Sequence, residues 1–229
     1  MRLPIAIVLA SAFLAGCQTP ANVYTVVAVP EAGIKVDGEL NEPAWAKAAV
    51  LTDFKEPWAG DGEATTFRAV ADGKNLYFAF DCRESTPKIE KEWQGERTVV
   101  NEDRVEMYFA LDDNLEKYFC LEIDPAGRVL DYSATFPRKF DESWSMPGLK
   151  AAGKRTAGGY AVECSIPLAS LESLGLPSPQ PGVEWRVGLF RADMGRAGPN
   201  SDRWITWIVP NSATPNFHTP SAFGRFRFR

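Results

Sequence analysis

DRVEMYFAL, Asp103 to Leu111, alternates an apolar residue with a polar or amphipathic one along nearly its whole length. Successive side chains of a strand point to opposite faces. Val105, Met107, Phe109 and Leu111 therefore share one side, which reads as core, and Arg104, Glu106 and Tyr108 share the other, which reads as an outward polar and aromatic face. Beyond the turn signal Asp112-Asp113-Asn114, EKYFCLEID (Glu116 to Asp124) repeats the pattern, with Phe119, Leu121 and Ile123 inward and Tyr118, Glu122 and Asp124 outward. Two adjacent strands presenting arginine, glutamate and tyrosine would suit a hydroxyl-rich ligand, because planar polar groups can take paired hydrogen bonds from hydroxyls. Cross-strand ion pairs on a solvated face would give the same pattern.

Working outward, the same period of two recurs in TTFRAVADG, NLYFAFDC, RVLDYSATF, GYAVECSIPL, WRVGLFRAD, WITWIVP and the closing GRFRFR, punctuated by Asp72-Gly73 and Pro125-Ala126-Gly127. Many short strands at this spacing predict an all-β fold, an antiparallel β-sandwich. Two places read as helical: Glu42 to Ala49, and Pro167 to Gly175, where the glycine stops the helix. No internal repeat or low-complexity linker divides the chain, so one domain over 30–229 is the economical reading.

Ahead of that domain, Arg2 and the apolar run LPIAIVLASAFLA form a signal-peptide core too short to span a bilayer. The run ends in LAGC, which resembles the bacterial lipoprotein processing box. That resemblance implies a signal peptide over 1–16, a lipidated Cys17 and a tether to residue 29, with Gln18 favouring an outer-membrane location where the host has one. The formal net charge of −5 and the lack of a basic run argue against nucleic acid or anionic lipid as partners; membrane contact would come through the lipid alone. Cys82, Cys120 and Cys164 each sit in an apolar strand pattern and read as buried thiols. If two of them pair, Cys82 and Cys164 share the apolar parity.

VDGELNEPAWAKA, Val36 to Ala48, resembles the opening signature of the family 9 carbohydrate-binding modules. The segments NLYFAFDCRE, DRVEMYFALDD, GGYAVECSIPL with GVEWRVGLFRAD, and WITW with TPSAFGRFRF follow in that family's order. The resemblance implies a β-sandwich that binds a sugar or glycan end without catalysis, often beside a glycoside hydrolase and so linked to polysaccharide breakdown. In such a fold Pro43 and Trp45 would form a lid at one end of the sandwich. Matching the family's motifs puts Glu106 at a sugar-contacting glutamate and Phe217 at the second of two clamping tryptophans. The first tryptophan's position falls on Val100, with Trp93 nearby in the same loop. Trp58, Trp93 and Trp144 lie in loop-like sequence, and Trp93 or Trp144 is the expected stacking partner of Phe217. Arg104 or Arg191 would support the hydrogen bonding. Related modules also carry structural calcium, for which the Asp-rich turn LDDN offers oxygen ligands.

Other chemistries find less support. The single histidine, His218, has no nucleophile motif near it, and no two carboxylates are marked as a glycosidase pair. One histidine and no C-x-x-C spacing argue against an ordinary zinc site. A haem-binding β-sandwich would draw its axial ligands from Met107, Met146, Met194 and His218. A partner-binding structural surface lipoprotein is the remaining class.

Overall fold

The computed structural model describes residues 22–60, 63–195 and 202–229. The signal peptide, Cys17 and the LAGC box lie outside the described residues.

Twelve strands run β1 (Val23–Ala28), β2 (Thr65–Ala71), β3 (Asn75–Arg83), β4 (Arg104–Ala110), β5 (Tyr118–Ile123), β6 (Val129–Thr135), β7 (Lys139–Asp141), β8 (Lys150–Thr156), β9 (Gly159–Pro167), β10 (Glu184–Asp193), β11 (Arg203–Thr206) and β12 (Gly224–Phe228). One sheet has the order β7-β6-β5-β4-β10-β12-β1, with β11 also on β10; the other has β1-β2-β3-β9-β8. β1 joins them, pairing β12 through its first four residues and β2 through its last two. Both β1 pairings are parallel and the rest are antiparallel, which amends the expectation of a wholly antiparallel sandwich.

The apolar parities meet between the sheets. Phe67, Phe78, Phe80, Val162 and Cys164 from one sheet and Val105, Met107, Leu121, Ile123, Val187, Leu189 and Phe226 from the other form a single buried cluster. At about 1.5–3 kcal/mol for each large side chain removed from water, this cluster is the main stabilising term. Cys82, Cys120 and Cys164 are free, buried thiols. Cys82 and Cys164 face this core, but their register partners are Tyr160 and Phe78, so they are not opposite one another.

Four readings change. Val23–Ala28, expected as tether, is a strand: Tyr24 and Val26 are buried, and the Tyr24 hydroxyl donates to Ala49 O at 2.7 Å and accepts from Ala69 N at 2.7 Å. β8 and β7 went unpredicted because their side chains are mostly exposed and carry no alternation. Leu111 follows the last residue of β4 and is 39% exposed rather than core. The Glu42 to Ala49 segment is a short 3-10 turn, Pro43–Lys47, and it covers the outer face of the β2–β3 sheet rather than an end of the sandwich. There Ala44, Trp45 and Ala48 pack on Val70, Tyr77 and Ala79, whose parity is opposite to the inter-sheet core. The second helix, α1, spans Leu168–Ser173, within the predicted segment.

Candidate functional site

The outward parity of β4, β5 and β6 does not meet solvent. Arg104, Glu106 and Glu122 are only 5%, 1% and 5% exposed, and Tyr108 is buried with them. The expected solvated face is instead a second buried layer, because the segment leading into β12 folds over it. Phe217 stacks on Phe190 of β10, centroids 4.2 Å apart and rings within 11°, while Phe223 meets Phe190 edge-on. Arg186 ties this roof to the sheet, donating to Phe223 O and Pro220 O at 2.7 Å each.

Glu106 and Glu122 are direct register partners on β4 and β5, so folding brings two carboxylates side by side. Arg104 Nε lies 2.9 Å from Glu106 Oε1 and 2.7 Å from Glu122 Oε2, neither contact with hydrogen-bond geometry. The Tyr108 hydroxyl donates to Glu106 Oε2 at 2.6 Å and the Tyr132 hydroxyl to Glu122 Oε1 at 2.6 Å. Burial, and next the like charge of Glu122, push the Glu106 carboxyl up to about 7, although Arg104 pulls it down. His218 is stacked on Tyr108, and its Nδ1 is 3.2 Å from the Tyr118 hydroxyl. Burial first, then the charges of Arg138 and Arg104, lower His218 to about 3, so its ring is neutral at physiological pH.

Above this floor is an open cavity of about 370 Å³. Trp204, Phe217 and Phe140 supply aromatic walls, and Arg97, Arg138, Glu142 and Asn216 stand at the rim. The volume suits a small ligand, and apolar faces beside convergent polar groups are what a sugar ring requires.

Of the residues read from the sequence, Glu106, Arg104 and Phe217 converge on this cavity, and Val100 lines it as well. The others lie elsewhere. Trp93 is 43% exposed and rests against the Arg128 guanidinium at 4.9 Å, with Arg128 itself paired to Glu102 and Asp124. Trp144 packs on Phe119 and the inter-sheet core, on the far side of β5. Arg191 is fully buried, donates to Arg83 O at 2.9 Å and Thr65 Oγ1 at 3.2 Å, and lies 3.4 Å from Glu84. Trp185 and Trp207 are core residues. Trp58 backs the site from behind, against Phe217.

Sequence reasoning missed Trp204, Tyr132 and Asn216 as site residues, and placed Glu122 outward without assigning it to the site. For Trp204 a signal existed. In WITW its parity is opposite to the buried Ile205, and its register partner is Ala192, which neighbours Phe190 on the site face two positions along β10.

Among the described residues two groups of carboxylates could meet a cation. Glu84, Asp103 and Asp193 are all buried with ligand atoms within 4.8 Å of one another, and Asp37, Glu42 and Glu163 form the second. The first offers hard oxygen donors of the type calcium takes, but the Arg191 guanidinium already stands against it, and Asp103 accepts the N–H groups of Lys88 and Met194. In the second, Glu163 is filled by Asp37 N, Gly38 N and Trp45 Nε1. The LDDN turn belongs to neither: Asp112 caps its own turn, and Asp113 pairs with Arg225. For haem, Met107 and Met146 lie in the inter-sheet core, across β4 from His218.

Comparison with known proteins agrees with this architecture. The sequence profile described as "Carbohydrate family 9 binding domain-like" matches residues 36–229. A protein from Bacteroides uniformis proposed to bind carbohydrate superposes with a TM-score of 0.71 at 15% identity, over 91% of this chain and 99% of that one. A family 9 carbohydrate-binding module from Caldicellulosiruptor kristjanssonii in complex with cellotriose gives 0.62 at 15% identity, over 90% and 93%. Its glucose complex gives 0.57 at 17% identity, over 90% and 95%. Exoglucanase XynX of Acetivibrio thermocellus is 27% identical over 139 residues, 61% of this chain but 12% of that enzyme's length. From the span of the profile match and the shared sandwich, the chain belongs to the family 9 carbohydrate-binding domain-like proteins.

Proposed function

We propose that this chain binds carbohydrate, without altering it, in the cavity above β4, β5 and β6, and that it does so at the bacterial cell envelope, held by a lipid on Cys17. The observation that carries the reading is the pairing of the Arg104–Glu106–Glu122 floor with the Trp204 and Phe217 walls in one cavity. The C–H face of a pyranose packs on an aromatic ring while its hydroxyls exchange hydrogen bonds with carboxylate and guanidinium groups. Stacking adds about 1 kcal/mol beyond area burial and the polar contacts replace water, so a dissociation constant on the order of micromolar to millimolar is expected.

A non-catalytic role fits the geometry. A glycosidase needs two carboxylates flanking the scissile bond. Glu106 and Glu122 instead stand side by side on one floor and share one guanidinium nitrogen. The likeness to part of an exoglucanase supports a place in polysaccharide catabolism, alongside a glycoside hydrolase.

The test is calorimetric titration of the full-length chain in detergent with mono- and oligosaccharides, beside Glu106→Ala and Phe217→Ala. Saturable binding that both substitutions abolish, with the circular dichroism of the fold retained, is the expected result. A folded protein that binds nothing across the panel would refute the reading.

A further inference from the structure

The charges around the cavity cancel in number but not in place. At the floor two carboxylates, Glu106 and Glu122, face one guanidinium, Arg104. At the rim two guanidiniums face one carboxylate: Arg97 pairs with Glu142, and among the described residues no carboxylate pairs with Arg138. Burial moves the floor toward neutrality by favouring the protonated form of Glu106, so the mouth keeps an uncompensated positive charge.

Arg138 is held in position to use that charge. It sits in the turn between β6 and β7 at φ 54°, a left-handed conformation in which glycine or asparagine is the usual residue. From there its guanidinium lies over Phe140 at 5.6 Å and donates to Asn216 Oδ1 at 3.4 Å, so the side chain reaches toward the roof of the site. Its charge is felt inside the cavity, where it helps keep His218 neutral. Asn216 Oδ1 also accepts the backbone N–H of His218 at 3.1 Å. With its oxygen engaged twice, the Asn216 amide has its NH₂ group left to donate. The rim therefore offers donors and a positive charge, and the floor offers acceptors.

We infer that the ligand of this cavity is an acidic sugar, a uronic acid or a sulfate ester, whose anionic substituent meets Arg138 and Asn216 at the rim while its hydroxyls face the Glu106–Glu122 floor. The inference rests on the carbohydrate-binding reading above. A guanidinium presents two parallel N–H groups that match a carboxylate or a sulfate, and a charge-assisted contact of this kind is worth about tenfold in affinity.

The experiment is titration of the full-length chain in detergent with glucose, galactose, glucuronic acid, galacturonic acid and glucose 6-sulfate, at low and high salt, for the wild type and for Arg138→Gln and Arg138→Gly. The glycine variant relaxes the turn and so guards against an effect of misfolding. Expected is about tenfold tighter binding of an acidic sugar than of its neutral counterpart, a preference that shrinks at high salt and that both substitutions erase. A preference confined to the uronic acids, or to the sulfate, supports the inference and names the substituent. Neutral sugars binding as tightly as acidic ones, or a preference that survives both substitutions, would overturn it and leave carbohydrate binding in place. Saturation by none of the five would overturn the inference, and carbohydrate binding itself would then stand or fall on the wider panel of mono- and oligosaccharides above.

Discussion

The two outer faces of the sandwich each bury carboxylates under a short covering segment, and they differ in how those carboxylates are satisfied. Over β2, β3 and β9, Glu163 receives Asp37 N at 2.8 Å, Gly38 N at 3.0 Å and Trp45 Nε1 at 3.0 Å, under a closed apolar cap. Over β4, β5 and β6, Glu106 and Glu122 share one guanidinium and one tyrosine hydroxyl each, beneath an open cavity. A buried carboxylate with a full set of directed donors acts as a staple for the chain; buried carboxylates crowded together without one remain available to exchange contacts with a ligand. On the proposed reading the first face serves stability and the second binding.

Trp45→Ala is the harshest test of that division. Deleting a buried indole from a closed cap should cost about 3–5 kcal/mol in denaturant unfolding, while leaving the cavity's affinity for sugar unchanged. A loss of affinity without loss of stability would break the comparison. Glu163→Ala comes next: two buried donors and the part-buried Asp37 N–H lose their acceptor, for a cost of about 2–3 kcal/mol on the same measurement.

The open face predicts a pH dependence of opposite sense to an ordinary salt bridge. Glu106 titrates near 7 in the fold and from the usual 4.5 in the unfolded chain, so the folded protein keeps a proton that the unfolded chain has released. Its contribution is fully present below 4.5 and is lost as pH rises through 7. Thermal unfolding should show stability falling over that window, and Glu106→Gln should flatten the fall. Glu102, which burial also raises to about 7, keeps some slope in the variant. An unchanged slope in Glu106→Gln would contradict the assignment. Smallest in free energy is Trp204→Ala, expected to weaken sugar binding about tenfold by calorimetry with little effect on stability, because the ring is only half-buried.

The two faces also differ in how legible they were. Period-two alternation assigned the inter-sheet core and put Arg104, Glu106, Tyr108 and Glu122 together on one side of the sheet. It could not show that this side is roofed, because the roof comes from Phe217 and Phe223, close to a hundred residues further along, and no local pattern connects them. Family resemblance pointed to Glu106 and Phe217, both of which line the cavity, but the loop tryptophans read as stacking partners, Trp93 and Trp144, are held by Arg128 and Phe119 outside it. The indole that does line it, Trp204, stands on β11, beyond β10 from the floor strands. Exposed rings in loop sequence drew attention that strand parity would have directed to WITW. β1 was overlooked for a related reason: VYTVVA is apolar at five of its six positions and so shows no alternation, and it lies within the segment read as a tether.

Tryptophan fluorescence during sugar titration tests the central claim most directly, because Trp204 lines the cavity and Trp93 does not. Wild type and Trp93→Phe should show the same saturable change in emission, and Trp204→Phe should lose it. A change that persists in Trp204→Phe and disappears in Trp93→Phe would contradict the account, moving the binding site from the Glu106–Glu122 floor to the Arg128 surface.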